Sequence, residues 1–475
     1  MTNTPTFTLS RESSEPLADQ IVRSVAARVD ERLLHAGARM PSIRRFASSH
    51  GVSPFTVVAG YDRLVAQGYL ESRRGAGFFV RERQPVPLQA SGASSVGAAA
   101  PVTAPAILDT AWLVRSMFRQ APFGPTPGSG VLPAAWLDSA AVANALRALS
   151  RQNSDGLMNY GTPQGFLPLR GQLQRKLAAL EIDAAPEQLV TTLGVTQALD
   201  LVAREFCQPG DTVLVDDPAW FLMFGSFAAL GLKVVGVPRL ADGPDLARLK
   251  QLAQLHRPRL FIVNSVLHNP SSTSISAAKA FQVLRLAEQH DFLVVEDDIY
   301  CDLHPGGATR LAALDGLRRV IYLGGFSKSM AANLRVGFVA ASRERAGRLA
   351  DRKMLATLST SDLGERVVYK ILAEGHYRKH LDRLRARLEA ARAPALRLVE
   401  ALGMRAEPAP AAGMFLWVDA GCDTNALAAR GLEQGLLLAP GSLFSPSQQP
   451  STRMRLNVAA LQDPQVVRFL EQRPL

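Results

Sequence analysis

A lysine leaves an apolar strand in the segment Tyr322-Leu-Gly-Gly-Phe-Ser-Lys-Ser-Met-Ala-Ala-Asn-Leu-Arg-Val-Gly337, and an arginine follows it seven residues later. Apolar neighbours such as Phe326 and Met330 would desolvate the ammonium group of Lys328 and make its amine nucleophilic enough for a Schiff base. Arg335 is permanently charged and suits a phosphate group through bidentate pairing. A lone Ser-Lys after a strand is more often a surface lysine, but the pair indicates a site for a phosphorylated aldehyde cofactor.

Two upstream segments carry side chains that fit such a cofactor. Asn269-Pro270 and Glu296-Asp297-Asp298-Ile299-Tyr300 both open at strand ends, where ligands collect in open α/β sheets. Asp297 can pair with a pyridinium nitrogen, while Asn269 and Tyr300 can donate to a phenolic oxygen. Singly, Asn-Pro starts turns and an acidic pair caps helices. Together with Lys328, they predict a pyridoxal phosphate site.

Two further segments complete the predicted site. Thr191-Thr-Leu-Gly-Val-Thr-Gln-Ala198 has the pattern of a strand, a glycine and a helix start, whose free N–H groups bind anions. The Val195 amide and Thr196 are therefore candidate phosphate donors. Trp220 follows another apolar strand and can stack on the pyridine ring, although a lone tryptophan is more often a structural core residue.

From about Asp109 to Leu475 the sequence resembles a fold-type I, aspartate-aminotransferase-like domain. The motifs that carry the resemblance occur in the family's order: Tyr160-Gly-Thr-Pro-Gln-Gly165, Asn269-Pro270, Asp297-x-x-Tyr300, Ser327-Lys328 with Arg335, and Arg455-Leu-Asn-Val458. The resemblance implies an α/β fold that binds pyridoxal 5'-phosphate.

The resemblance also implies a role for each motif residue. The cofactor residues are Lys328 as the internal aldimine lysine, Asp297 as the pyridinium partner, Asn269 and Tyr300 as ring-oxygen ligands, and Arg335 as a phosphate ligand, with Ser327 also counted as cofactor-binding. Tyr160 would reach the phosphate of a neighbouring subunit, so a homodimer is expected. Arg455 would bind the α-carboxylate of an amino acid.

Three positions depart from the family's pattern. Its Asn-Pro-Thr-Gly is here Asn269-Pro-Ser-Ser272, the serine usually three before the lysine is Gly325, and the proline usually four after it is Ala332. The missing serine removes one phosphate hydrogen bond, on the order of 1–3 kcal/mol when charge-assisted. We expect the cofactor to bind, with efficient turnover less assured.

The N-terminal part has the pattern of a winged helix-turn-helix. Leu17, Ile21, Val25, Val29 and Leu33 recur at helical spacing, and two short helices joined by a glycine turn follow. In the second of these, Ser53 is a good N-cap and Pro54 a good first residue. The segment from Tyr69 to Val80 then reads as a hairpin with a basic tip.

Charge favours DNA over a plain dimerisation or docking role for this unit. Residues 1 to 83 hold 12 Arg, no Lys and 8 acidic residues, and phosphate contacts dominate non-specific DNA affinity. The unit is similar to GntR-type winged helices, and the candidate DNA-binding residues are Arg44, Ser53, Thr56, Arg73, Arg74 and Gly75. Pro54 and Val58 stand where that family usually has arginine or another polar residue, so the operator sequence does not carry over.

Composition separates the two parts. Residues 84–108 contain no charge and many Ala, Ser, Gly and Pro, as in a flexible linker. We therefore expect a DNA-binding domain at 1–83 and an aminotransferase class I/II-like domain at 109–475. The three cysteines have no metal-ligand spacing, and no signal or membrane segment is apparent, which favours a cytoplasmic protein without a metal.

A GntR-type winged helix followed by an aminotransferase-like domain is the arrangement of MocR-type bacterial regulators. The leading hypothesis is a transcription regulator that binds double-stranded DNA and senses an amine or amino acid through the Lys328 aldimine. An active aminotransferase that carries a DNA-binding head is the alternative. A lyase or decarboxylase on the same fold has less support.

Overall fold

The computed structural model describes residues 7, 9–11, 13, 15–81, 124–151 and 158–473. The chain divides into two compact units, Met1–Ala99 and Ala100–Leu475. The predicted linker, 84–108, lies outside the described residues. The predicted fold class is confirmed: a winged helix-turn-helix unit precedes an α/β unit built on a large mixed sheet.

The first unit consists of three helices and a hairpin. Its elements are α1 (Leu17–Asp30), α2 (Ile43–His50), α3 (Pro54–Ala66), β1 (Leu70–Arg73) and β2 (Gly77–Val80). The two strands are antiparallel, with Leu70 opposite Val80 and Arg73 opposite Gly77. Residues between them form the wing tip.

Local sequence explains where these helices begin and end. Ser42 caps α2 by accepting from the Arg45 N–H, and Gly51 ends it in the left-handed region at φ 63°. Ser53 caps α3 by accepting from the Phe55 N–H. The prediction that Leu33 belongs to the apolar face of α1 is wrong, because α1 ends at Asp30 and Leu33 is 66% exposed.

The second unit is organised by an eight-stranded sheet in the order β3-β10-β9-β8-β7-β4-β5-β6. Its strands are β3 (Leu189–Thr192), β4 (Thr212–Asp217), β5 (Lys233–Leu240), β6 (Gly243–Pro244), β7 (Leu260–Val263), β8 (Leu293–Asp297), β9 (Val320–Gly325) and β10 (Gly337–Ala340). β10 is antiparallel to both of its neighbours, and β6 is antiparallel to β5.

Helices cover this sheet and extend beyond it. They are α4 (Ser139–Ser150), α5 (Leu167–Ala178), α6 (Gly194–Phe206), α7 (Leu222–Ala229), α8 (Leu246–His256), α9 (Ala277–Gln289), α10 (Leu311–Asp315), α11 (Arg343–Thr357), α12 (Asp362–Ala373), α13 (His376–Ala401), α14 (Thr424–Glu433) and α15 (Pro464–Glu471). Apolar side chains fill the space on both sides of the strands, as expected for a mainly parallel sheet.

A smaller antiparallel sheet completes the unit. It has the order β11-β12-β14-β13, with β11 (Arg405–Ala406), β12 (Phe415–Asp419), β13 (Ala439–Pro440) and β14 (Arg453–Asn457). Trp417 lies opposite Arg455 in this sheet. The register places the candidate carboxylate-binding arginine on a central strand.

The direction of the strands determines where a site forms. β4, β7, β8 and β9 are parallel to one another, and β3 shares their direction because β10 is antiparallel to both β3 and β9. Their carboxyl ends therefore meet at one edge of the large sheet. Separately, none of the helices in the described part of the chain is long and apolar enough to cross a membrane.

Candidate functional site

Lys328 follows β9 at this edge, and its amine is held inside the protein. The Lys328 Nζ donates to the carbonyl oxygen of Gly130 at 2.8 Å. Burial, followed by the nearby charges of Arg455 and Arg335, lowers the pKa of Lys328 to about 8, against an opposing effect of Asp297. A substantial fraction of this amine is therefore neutral near physiological pH.

Asp297 ends the neighbouring strand, β8. Its Oδ1 accepts from the Ile299 N–H at 3.1 Å, and no described lysine or arginine nitrogen lies within 4.0 Å of its carboxylate. Burial raises the pKa of Asp297 to about 7. This partly buried carboxylate therefore has no close cationic partner among the described residues.

A chain of hydrogen bonds joins three other predicted residues. The Arg455 Nη1 donates to Asn269 Oδ1 at 2.9 Å, and the Asn269 Nδ2 donates to the Tyr300 hydroxyl at 3.1 Å. All three side chains are buried, and burial raises the pKa of Tyr300. The Lys328 Nζ lies 5.9 Å from the centre of the Tyr300 ring. Residues up to 186 positions apart therefore meet in one cluster.

Arg455 is 2% exposed and firmly held. Its Nη2 donates to the Gly128 carbonyl at 2.6 Å, and its guanidinium carbon lies 4.5 Å from the ring centre of Phe415 and 5.0 Å from that of Phe444. Burial lowers the pKa of Arg455 to about 10. No carboxylate of the described chain pairs with this guanidinium, so it is suited to a carboxylate supplied by a ligand.

The predicted phosphate end lies at the start of α6. Gly194 begins this helix with φ +76°, and the Arg335 Nη2 donates to the Leu193 carbonyl at 2.8 Å. A Cβ atom on Gly194 would lie 2.8 Å from that Nη2. Val195 is buried and Thr196 exposed. The glycine therefore allows the arginine to approach a helix N-terminus, a combination that attracts anions.

Three further predicted cofactor residues, Tyr160, Trp220 and Ser327, share no hydrogen bond with Lys328, Asp297, Asn269 or Tyr300 in the described part of the chain. Tyr160 is 84% exposed in this chain. Trp220 is partly buried and packs against the apolar core, and Ser327 is also partly buried. Their roles towards a cofactor remain predictions.

The predicted DNA-binding residues fall into two groups. Arg44, Arg74 and Gly75 are exposed, whereas Thr56 is partly buried. The other two have partners within the unit. Ser53 uses its hydroxyl as the α3 cap, and Arg73 pairs with Glu71 at 2.6 Å and lies over the Phe79 ring at 4.6 Å.

Three residues at the candidate site were not predicted from the sequence. Gly128 and Gly130 supply the carbonyl oxygens that hold Arg455 and Lys328. Asn264 donates to the Asp297 carbonyl at 2.6 Å and accepts from the Asn269 N–H at 2.7 Å. Asn264 comes directly after β7, and because Val263 pairs with Glu296 its position along the strands matches that of Asp297, which was a usable signal.

Comparison with known proteins identifies the family of each unit. Residues 128–472 match the family described as aminotransferase class I and II, and residues 17–80 match the bacterial regulatory proteins of the gntR family. The chain belongs to the aminotransferase class I and II family. Its N-terminal unit is a GntR-type helix-turn-helix domain.

Known relatives include both enzymes and regulators. A 2-aminoadipate transaminase of Thermus thermophilus is 32% identical over 67% of this chain and 81% of its own. The probable rhizopine catabolism regulatory protein MocR of Rhizobium meliloti is 29% identical over 79% of this chain and 76% of its own. Four relatives described as uncharacterized HTH-type transcriptional regulators cover 92–96% of this chain. The predicted MocR-type arrangement is confirmed.

Among solved structures, LysN of Thermus thermophilus is similar to the second unit. This α-aminoadipate aminotransferase, complexed with N-(5'-phosphopyridoxyl)-L-leucine, is 26% identical with a TM-score of 0.69, and the match covers 76% of this chain and 93% of LysN.

Proposed function

We propose that this GntR-type regulator binds pyridoxal phosphate in its aminotransferase-like unit and uses that site to sense an amine or amino acid. The observation that carries the proposal is the cluster of Lys328, Asp297, Asn269, Tyr300 and Arg455 in the same chain as a GntR-type DNA-binding domain. The relatives described as transcriptional regulators cover nearly the whole chain and support the regulatory role.

The residues present fit the cofactor. Asp297 is a partly buried carboxylate whose pKa is raised to about 7, and a protonated ring nitrogen would give it the cationic partner that it lacks. Asn269 and Tyr300 would hold the ring oxygen, and the α6 start with Arg335 would hold the phosphate. Bound pyridoxal phosphate supplies an aldehyde carbon that forms covalent bonds with primary amines.

The chain's own side chains determine what such a site accepts. Lys328 offers an amine with a pKa lowered to about 8, which is neutral often enough to attack a carbonyl carbon. Arg455 provides a rigid guanidinium for the carboxylate of an incoming amino acid. A ligand that has both an amine and a carboxylate would place its amine where the Lys328 amine lies and its carboxylate against Arg455.

Two further parts of the proposal concern assembly and location. We propose a homodimer, because the exposed Tyr160 would act on a cofactor phosphate only in a partner subunit. We also propose that the protein is located in the bacterial cytoplasm, as expected for a DNA-binding regulator.

An active transaminase is the second candidate function, and the retained Arg455 favours it. The 32% identical transaminase of Thermus thermophilus adds support. Against efficient turnover stands Gly325, where the family usually has a serine. A Cβ atom there would lie 2.9 Å from Ile299 Cδ1 and 3.3 Å from the Val336 carbonyl oxygen, so a serine at this position would require the Ile299 side chain to shift.

An absorbance screen with purified protein tests the proposal. Amino acids and amines would be added singly to the cofactor-loaded protein, and keto acid formation and operator binding measured in parallel. A spectral change that alters DNA affinity without producing a keto acid supports the regulator. Multiple turnovers with unchanged DNA affinity would favour the transaminase, and a protein that fails to take up pyridoxal phosphate would overturn both.

A further inference from the structure

A second cavity lies in the α/β unit, away from the candidate cofactor site. Its volume is about 560 Å³, and Leu293, the first residue of β8, lines it. Asp297, at the other end of β8, belongs to the cofactor site. The strand is five residues long, which separates its two ends by roughly 13 Å at about 3.3 Å per residue. The second cavity therefore opens at the amino edge of the parallel strands.

Arginines dominate the lining of this cavity, and they come from separate parts of the fold: Arg259, Arg318, Arg319, Arg345 and Arg348. Among the described residues, two carboxylates, Glu205 and Asp291, share the lining, which leaves a formal charge of +3. A concave site with this excess of guanidinium groups would attract a compact polyanion.

Carboxylate partners are unevenly distributed among these arginines. Arg319 pairs with Asp291 at 2.9 Å, Arg348 with Glu205 at 2.8 Å, and Arg259 with Asp211, outside the lining, at 3.7 Å. Across the described ranges, no carboxylate lies within 4.0 Å of the Arg318 or Arg345 guanidinium.

These two guanidinium groups use backbone oxygens instead. The Arg318 Nε donates to the Asp315 carbonyl at 3.0 Å, and Arg345 donates to the Arg318 carbonyl. Burial lowers the pKa of Arg345, and the repulsion of Arg319 and Arg348 acts in the same direction against the opposing effect of Glu344 and Asp315. An anion between these side chains would remove this repulsion and use the donors that remain.

We propose that this arginine cavity binds a small polyanion that carries a diphosphate or triphosphate group. Guanidinium groups match phosphate oxygens in bidentate geometry, and a volume of about 560 Å³ is in the range of small-ligand pockets. The proposal is independent of the cofactor proposal, because none of the residues assigned to pyridoxal phosphate lines this cavity.

Calorimetric titration of the full-length, pyridoxal phosphate-treated protein with inorganic pyrophosphate tests this site at about 0.15 M salt. We expect one pyrophosphate per chain and at least about tenfold weaker binding of sulfate. The double variant R318A/R345A should raise the Kd about tenfold or more, because it removes two charged donors. If thermal unfolding shows that the double variant is not folded, the single variant R318A is titrated instead, and it should also raise the Kd for pyrophosphate.

Arg343 gives a matched control. It lies on the same helix as Arg345, its side chain is 75% exposed, and it pairs with Glu187 at 3.6 Å outside the cavity. R343A should leave the Kd for pyrophosphate within about twofold. Equal Kd values in R318A/R345A and the wild type, or no binding up to about 1 mM pyrophosphate, would overturn the proposal. If R318A/R345A instead weakens only duplex DNA binding, the cavity is a DNA-backbone contact and the small-polyanion proposal is wrong.

Discussion

Lys328 is the residue on which the cofactor proposal depends most directly. We expect K328A to lose covalent pyridoxal phosphate attachment, because Lys328 is the lysine beside Asp297 and Tyr300. After borohydride reduction of the wild type, peptide mass mapping should find the pyridoxyl group on Lys328. Lys353 is a stringent control, since its pKa is also lowered to about 8 and it is fully buried, yet its Nζ donates to Thr360 at 3.0 Å. K353Q should keep the label, and a label on Lys353 in the wild type would contradict the assignment.

The raised pKa of Asp297 predicts that the stability of the folded protein depends on pH. Its folded-state pKa, about 7, is raised above the unfolded value of 3.8. The stabilisation by its protonated form is thus complete below about pH 4 and lost as the pH rises through 7. Without cofactor, D297N should therefore be more stable than the wild type at pH 8, on the order of 2–4 kcal/mol. Urea unfolding from pH 5 to pH 8 measures this difference.

The same variant should have the opposite effect on cofactor binding. An amide cannot balance a pyridinium charge, so D297N should weaken pyridoxal phosphate binding and alter its absorbance. D382N is the control, because Asp382 is 64% exposed and pairs with Arg385 on the surface. Unchanged cofactor binding together with unchanged stability in D297N would mean that Asp297 is an ordinary loop residue.

Single residues also show how far the sequence predicts the site. Asn269, Asp297 and Lys328 follow apolar strands, so the general rule for ligands in α/β sheets brings them to one edge. The contacts of Gly128 and Gly130 could not be predicted in this way. They are hydrogen bonds from the first described segment of the second unit to side chains 198 to 327 positions later in the chain, and no local sequence pattern encodes such contacts.

At the scale of elements, the start of α6 makes a sharp prediction about phosphate binding. Gly194 has φ +76°, and a Cβ atom there would lie 2.8 Å from the Arg335 Nη2. G194A should therefore displace Arg335, strain the turn by on the order of 1 kcal/mol and weaken pyridoxal phosphate binding. G171A is the control, because no atom lies within 4 Å of a Cβ atom on Gly171 in α5. Equal cofactor affinity in both variants, measured by fluorescence titration, would exclude this helix start as the phosphate site.

The wing and α2 make a prediction about DNA. Arg44 and Arg74 are exposed, and each alanine variant should lower DNA affinity and reduce the salt dependence by about one counterion per lost phosphate contact. The control is R63A, since Arg63 forms an ion pair with Asp19 of α1. Titrations at several salt concentrations measure the slope. If the dependence of DNA affinity on salt concentration is the same in R44A and R74A as in the wild type, neither residue contacts a DNA phosphate.

Elements differ in how well their bounds follow from sequence. The caps at Ser42 and Ser53 and the turn at Gly51 follow from side-chain chemistry that acts over a few residues. The end of α1 does not, because the helical repeat of apolar residues continues to Leu33 while the helix stops at Asp30. After Asp30 the chain turns: Arg32 lies in the left-handed region at φ 59°, and the Leu33 and Leu34 N–H groups both donate to the Arg28 carbonyl oxygen.

At the scale of the whole chain, the two units must communicate if the protein is a regulator. The fragment Met1–Arg83 has its own apolar core, so it should fold and bind DNA without the rest. Full-length protein should bind a two-site operator more tightly, roughly 10²-fold or more, because a dimer presents two heads and raises the effective concentration of the second. Footprinting should then show two half-sites for the full-length chain.

Ligand exchange at Lys328 should change that affinity. A ligand alters DNA binding only when it binds the competent and incompetent arrangements of the two heads with different affinity. An amino acid that displaces Lys328 and engages Arg455 is therefore expected to shift the operator affinity of the wild type but not of K328A or R455A. The fragment Met1–Arg83, which lacks both residues, should be unaffected by the same amino acid. If the fragment binds the operator as tightly as the full-length protein, or if every amine that changes the absorbance leaves DNA binding unchanged, the two units act independently and the transaminase becomes the better explanation.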